Sequence, residues 1–168
     1  MTIFINETKI FEDNINNIKK LMKCKCNKTK DENIIFLIEK KLSLIAAFEL
    51  YLKSCISLPD LKEVSNKKNI QFHKNVTYLS LLKNLLIEID QNSKFSWSTN
   101  LPNQSGKRNL NIHWTSFYPN YIIKPRNEGI HDFALSSNFN TYDKLLWFTN
   151  QLFDFATKIL VFIKPYII

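Results

Sequence analysis

The chain has 168 residues, which suits one domain, and its two glycines are too few for an all-β fold with many tight turns. Hydrophobic residues make up 45% of the sequence, which supplies a core without disulfides or structural metals. The net charge of +8 permits contact with phosphate backbones. An AT-rich genome also produces an excess of Lys, Asn and Ile, so charge alone does not identify a nucleic-acid-binding protein.

The cysteines indicate a reducing compartment. There are three of them, Cys24, Cys26 and Cys55, and the chain opens without a secretory signal pattern, so we expect a cytoplasmic protein. Cys24 and Cys26 form a C-x-C pair without a second Cys or His cluster nearby in sequence. We therefore expect no metal and no other cofactor.

Hydrophobic residues at helical spacing predict three helices in the first part of the chain, over residues 10–23, 32–57 and 75–91. Asp31 can cap the second helix, which should end before Pro59. The stretch 60–73 is predicted to be a connector with at most one helical turn. Between the first two helices, "KCKCNKTKDEN" is interpreted as a solvated loop, with a basic arm that touches RNA as the alternative.

Residues 92–125 lack clear periodicity, and this predicts a long irregular insertion that is either functional or partly disordered. Within it, "NLNIHWTSF" has the composition of a short strand. A short helix should then start at Pro125 or Arg126 and run to about Ser136, because proline fits the first helical turn.

The last helix is predicted over 142–164, with Thr141 as its cap. It is apolar on most sides, which favours a central place in a bundle or a surface shared with a partner. Asp154 and Lys158 near its middle disfavour a membrane span, so we expect no membrane association. The predicted fold is an all-α bundle of four to five helices, forming a single domain over 1–168, with a long irregular insertion at about 92–125.

The segment "RNEGIH", residues 126–131, carries the chemistry of RNA cleavage. At a helix start, Arg126 can hold a phosphate with its forked donors, and free backbone N–H groups assist it. His131 can exchange a proton near neutral pH. Because the ribose 2′-OH is itself the nucleophile, a base and a cation suffice for cleavage without a metal.

This segment resembles the motif of the HEPN superfamily, in which an Arg, often followed by a polar residue, is separated from a His by four to six residues. The resemblance implies a helical bundle with ribonuclease activity, in which Arg126 and His131 are catalytic and Asn127 supports them. It also implies a homodimer with a composite cleft, a role in toxin–antitoxin or antiphage defence, and an antitoxin or other defence protein as a further partner. RNA contacts are expected from Lys107, Arg108 and Lys124.

Two features of the sequence bear on this resemblance. "RNLNIH", residues 108–113, fits the same pattern, but we favour the 126–131 copy because it lies directly before the terminal helix. Phe133 stands where the related toxins regulated by AMP transfer carry a tyrosine, which disfavours that regulation here. The predicted function is metal-independent endoribonuclease, and the alternative is a non-catalytic HEPN-like module for binding or dimerisation.

Overall fold

The computed structural model describes residues 4–23, 30–90, 95–101, 110–127 and 142–167. Four long helices account for most of them: α1 (Ile5–Met22), α2 (Lys30–Cys55), α4 (Tyr78–Asp90) and α6 (Tyr142–Ile163). The shorter elements are helix α3 (Leu58–Lys67), strands β1 (Ser98–Leu101) and β2 (Leu110–His113), and helix α5 (Trp114–Phe117). The protein is mainly α-helical, as predicted.

The hydrophobic core lies around α6, which packs against α1 and α2. One stripe of α6 is completely buried, and the Phe155 ring stacks on that of Phe48 from α2 with centroids 6.1 Å apart. The members of this stripe are Leu145, Phe148, Leu152, Phe155 and Ile159. The apolar character of α6 is therefore explained by its central position, which is one of the two placements that the sequence predicted.

The four predicted long helices are confirmed, with ends that differ by a few residues. Helix α2 begins at Lys30, so Asp31 lies in its first turn rather than before it. It ends at Cys55, ahead of Pro59, as expected. Thr141, the predicted cap of the last helix, and the cysteines Cys24 and Cys26 lie outside the described residues.

The predicted connector over 60–73 was wrong, because α3 occupies its first half. Ser57 caps this helix: its Oγ accepts the N–H of Asp60 at 3.2 Å, and the Asp60 carboxylate accepts the Ser57 N–H at 3.1 Å. Pro59 lies in the first turn, where its missing N–H costs nothing. Asn69 follows the helix with φ at 56°, a left-handed conformation that asparagine tolerates at helix ends. Pro59 therefore lies inside a second helix that begins soon after α2 ends.

The described part of 92–125 is ordered into regular elements, so the prediction of an irregular insertion was wrong there. Strands β1 and β2 pair antiparallel, with Ser98 opposite His113. The hairpin is fixed to α6 by two side-chain hydrogen bonds. The Trp97 indole N–H donates to Asp154 at 2.8 Å, and the Thr99 hydroxyl donates to Gln151 at 2.7 Å.

The helix that carries Arg126 begins much earlier than predicted. It starts at Trp114, continues as a π-helix over Tyr118–Ile123, and returns to α-helix at 124–127. Pro125 is buried inside this run, directly after the Lys124 N–H bonds the carbonyl of Pro119, five residues back. The wider π turn accommodates a proline ring that would clash in a regular α-helix. The predicted start at Pro125 or Arg126 was therefore wrong, and residues 128–136 lie outside the described part.

None of the helices in the described residues combines the length and hydrophobicity needed to cross a membrane. In the same described ranges, no group of three or more His, Cys, Asp or Glu side chains is arranged to hold a metal ion.

Candidate functional site around Arg126

Arg126 lies in the last described turn of the helix that starts at Trp114, and its side chain contacts α2. Its Nε–H donates to Oε2 of Glu49 at 2.7 Å, and its Nη2 donates to Oε1 of the same carboxylate at 3.2 Å. This is a two-point contact between a planar guanidinium and a carboxylate, the strongest form of ion pair that side chains make. The contact joins residues 77 positions apart in sequence and fixes the orientation of the guanidinium.

Glu49 is the buried member of the pair. Its side chain is 11% exposed, whereas that of Arg126 is 35% exposed. Lys53, one helical turn further along α2, lies with its Nζ 3.1 Å from Oε1 of Glu49. Burial acts to raise the pKa of the Glu49 carboxyl, but the hydrogen bonds and charges of Arg126 and Lys53 outweigh it and hold the pKa below its usual value.

Buried tyrosines belong to the same region of the core. Lys53 lies over the ring of Tyr78, with Nζ 5.6 Å from the ring centroid, and the Tyr78 hydroxyl donates to the carbonyl of Ile56. Tyr118 is also buried, and its hydroxyl donates to the carbonyl of Leu79 at 2.7 Å. Burial raises the pKa of both phenols, that of Tyr118 well above its ordinary value, so neither is a proton acceptor near neutral pH.

Arg126 has N–H groups beyond those that contact Glu49. A guanidinium has five N–H bonds, of which two go to Glu49 and one, from Nη1, points to Oδ1 of Asn127 at 3.4 Å. Among the described residues, the other two N–H groups, one on Nη1 and one on Nη2, have no hydrogen-bond acceptor. Guanidinium N–H groups of this kind match the oxygens of a phosphate. The side chains of Arg126, Lys53 and Glu49 together carry a net charge of +1, which suits an anion.

Of the predicted site residues, the structure therefore brings Arg126 and Asn127 together. Lys124 lies two residues before Arg126 and is exposed. The other predicted site residues, His131, Lys107 and Arg108, lie outside the described residues. Arg126 is not at a helix start, so the predicted assistance from free helix N–H groups is wrong for this side chain.

The second copy of the motif ends in an exposed histidine at the start of α5. The Nδ1 of His113 lies 2.9 Å from the Thr115 hydroxyl and accepts the Thr115 N–H at 3.4 Å, which caps the helix. This arrangement gives His113 a structural role. Arg108, the other end of this copy, lies outside the described residues.

Sequence reasoning missed Glu49 and Lys53. In the sequence they form an ordinary Glu–Lys pair spaced by four residues on α2, a pattern typical of an exposed helix face. Only the tertiary contact with Arg126 distinguishes this pair from the similar pair of Glu63 and Lys67, in which both side chains are more than half exposed.

Comparison with known proteins adds no family to this description. No protein-family model matches the chain, and neither a curated protein nor a solved structure is significantly similar to it. The geometry around Arg126 and the motif in the sequence therefore carry the functional interpretation.

Proposed function

We propose that this chain is a metal-independent endoribonuclease resembling the HEPN superfamily, acting in a prokaryotic toxin or antiphage defence system. The observation that supports the proposal best is the Arg126 guanidinium, which is fixed by Glu49, partly exposed to solvent and adjacent to Asn127. An oriented guanidinium suits the charge that develops on the phosphoryl oxygens when the 2′-OH attacks phosphorus. The overall charge of +8 favours encounter with RNA.

The proposed mechanism divides the work among three side chains. His131 is the general acid/base: it removes the proton from the 2′-OH and returns a proton to the departing 5′ oxygen. Arg126 binds the scissile phosphate, and Asn127 orients the phosphate or the histidine. Glu49 is a poor candidate for the base, because its depressed pKa and its two cationic partners leave it little affinity for a proton at neutral pH.

The test is a cleavage assay on mixed RNA in the presence of EDTA, with identification of the product ends. We expect 2′,3′-cyclic phosphate ends from the parent, and a loss of about 100-fold or more for His131→Ala, in the range of general-base removal. Arg126→Lys keeps the charge but loses the fork, and we expect a similar loss. Lysine is preferred to alanine here because alanine would leave the Glu49 carboxylate buried without Arg126.

His113→Ala is the matched control, because it removes the histidine of the second motif copy. It should cleave at the rate of the parent once its folding has been checked by circular dichroism. Equal cleavage by the parent and by His131→Ala, under conditions in which both are folded, would rule out the proposed chemistry.

The proposed partners follow from the same resemblance. A homodimer would place two motifs in one composite cleft, and an antitoxin or another defence protein would control the activity. Sedimentation equilibrium on the parent chain measures the first of these. If the protein is monomeric while it cleaves RNA, the composite cleft is excluded and each chain carries a complete site.

A non-catalytic helical module that binds a partner is the second candidate. Exposed apolar side chains on the first two helices favour it, among them Ile10 at 58%, Ile35 at 48% and Leu50 at 60% exposure. The last helix, which the sequence suggested as the docking face, contributes little, because its main stripe is inside the core. A folded parent chain that leaves RNA intact in the assay above would favour this candidate.

A further inference from the structure

Two cations share one oxygen of Glu49. Lys53 Nζ lies 3.1 Å from Oε1, and Nη2 of Arg126 lies 3.2 Å from the same atom. Both cationic groups therefore contact the same oxygen atom of the carboxylate, which keeps them close to each other. The Lys53 side chain is 46% exposed, so it is accessible to a ligand from solvent.

The buried carboxylate of Glu49 fixes the positions of the two cationic side chains. Glu49 lies about two turns before the end of α2 at Cys55, and its side chain is nearly sealed from solvent. Ion pairs on an exposed surface lose their geometry to side-chain entropy and screening, whereas a buried anchor retains it. One negative charge thus orients two positive charges and leaves an excess of one.

We infer that Lys53 is a second phosphate-binding residue, which together with Arg126 contacts the phosphodiester backbone of RNA, and that Glu49 is the positioning residue for both. The identity of the ligand as RNA rests on the proposed function. Lys53 supplies a compact charge for one phosphoryl oxygen, while Arg126 donates N–H groups to the other phosphoryl oxygen or to the neighbouring phosphate. Neither Lys53 nor Glu49 belongs to the 126–131 motif.

The test measures binding separately from cleavage. The probe is a fluorescently labelled 2′-O-methyl RNA oligonucleotide, which keeps the phosphates but has no free 2′-OH to attack them. Affinity is measured by fluorescence anisotropy over a series of salt concentrations. Lys53→Met should weaken binding about tenfold at low salt and reduce the slope of log affinity against log salt by about 1.

Lys40→Met is the matched control, since Lys40 is also on α2 and also lies over an aromatic ring, that of Phe36, at 5.1 Å. Both substitutions remove one positive charge and keep a similar apolar stem. The inference requires that Lys40→Met bind nearly as well as the parent. Equal weakening by the two variants would show only a general charge effect and would overturn the inference. Lys53→Arg should restore most of the affinity that Lys53→Met loses.

Glu49→Gln separates positioning from simple electrostatics by the sign of its effect. If Glu49 had no positioning role, the removal of its negative charge should strengthen the binding of a polyanion. If Glu49 positions the two cations, its loss should instead weaken binding by several-fold, although the net charge becomes more positive. Tighter binding by a folded Glu49→Gln variant would refute the positioning role. Should this variant not fold, the comparison of Lys53→Met with Lys40→Met still decides whether Lys53 binds RNA.

The two proposals fail in different ways. A parent chain that binds the probe through Lys53 but cleaves no RNA would refute the ribonuclease and retain the phosphate site. A parent chain that cleaves RNA, with Lys53→Met binding the probe as the parent does, would retain the ribonuclease and refute the role of Lys53.

Discussion

Lys41 should make the stability of this protein depend on pH across the neutral and mildly alkaline range. Its side chain is one of the largest that are fully buried, and the residue is 1% exposed. The ammonium nitrogen lies 5.0 Å from the ring centroid of Phe148 and 5.8 Å from that of Tyr121. Burial lowers the pKa of Lys41 from its ordinary value of 10.5 to about 6.

Two effects compete at this residue. The aromatic rings favour the charged form, by about 2 kcal/mol at most. Desolvation of a buried ammonium costs several kcal/mol, which is enough to shift a lysine pKa by several units. Desolvation therefore dominates, and Lys41 is mostly neutral in the folded protein at neutral pH.

The sign of the pH dependence follows from proton counting. Between about pH 6, the pKa in the folded state, and 10.5, the ordinary value, the unfolded chain holds one proton on Lys41 that the folded chain does not. The free energy of unfolding therefore rises with pH, by about 1.4 kcal/mol per pH unit from this residue. From about pH 7 to about pH 9 the contribution is about 3 kcal/mol. Below about pH 6 both states are protonated and the slope disappears.

The variant that tests this reasoning is Lys41→Met, because the methionine side chain has a similar length to lysine and carries no charge that burial would desolvate. We expect this variant to be more stable than the parent at pH 7, and the difference to shrink by about 3 kcal/mol on going to pH 9. Urea denaturation followed by circular dichroism at several pH values measures both free energies. The pH values of these measurements stay below the ordinary tyrosine pKa of about 10.

Lys40→Met controls for the change in net charge, because it removes a positive charge at the neighbouring position, which is only half-buried. Its stability should follow that of the parent at every pH. Parallel curves for the parent and Lys41→Met would refute the reasoning, because they would mean that Lys41 carries its proton in the folded protein as well.

The remaining predictions concern the elements that hold the fold and the site. Ser57→Ala removes the cap of α3 and should cost about 1 kcal/mol in urea denaturation. Thr99→Val removes a hydrogen bond between the hairpin and α6, and should cost about 1 kcal/mol in the same measurement. Phe155→Ala removes a fully buried ring from the centre of the core and should cost about 4 kcal/mol, measured as a loss of thermal stability. The ion pairs of Glu49 stabilise the folded protein above the ordinary carboxyl pKa of about 4.5 and are lost as pH falls through the lower pKa of the folded state, so acid unfolding curves of Glu49→Gln should show a weaker pH dependence than those of the parent.

The long helices were predictable from sequence because their buried residues repeat every three to four positions over several turns. The hairpin was not, because each strand has four residues and buries few of them. In β1 only Thr99 is buried, and in β2 only Ile112. The buried residues do alternate with exposed ones at Phe95, Trp97 and Thr99, but this run is short and one of its three members is a polar threonine, which weakens the strand signal in the sequence.

The site residues likewise differ in whether their role depends on residues that are close in sequence or distant in sequence. Arg126 and Asn127 are visible in the sequence because they are adjacent and belong to a short motif. Glu49 and Lys53 are invisible there, since their importance comes from a contact across 77 positions. The predicted helix start at Pro125 was wrong for a related reason. Proline is common in first turns, and nothing in the local sequence reveals that a π-helix precedes it and makes room for it.

The π-helix over Tyr118–Ile123 makes the length of this segment less critical for the site than the length of a regular helix would be. A π turn contains about one residue more than an α turn, so it absorbs one extra residue within a single turn. Removing one residue from this segment would turn it into regular α-helix and leave the direction of Arg126 toward Glu49 nearly unchanged, whereas the same deletion in a regular α-helix rotates everything after it by about 100°. A lineage of this protein could thus lose or regain one codon in this segment while Arg126 keeps its contact with Glu49.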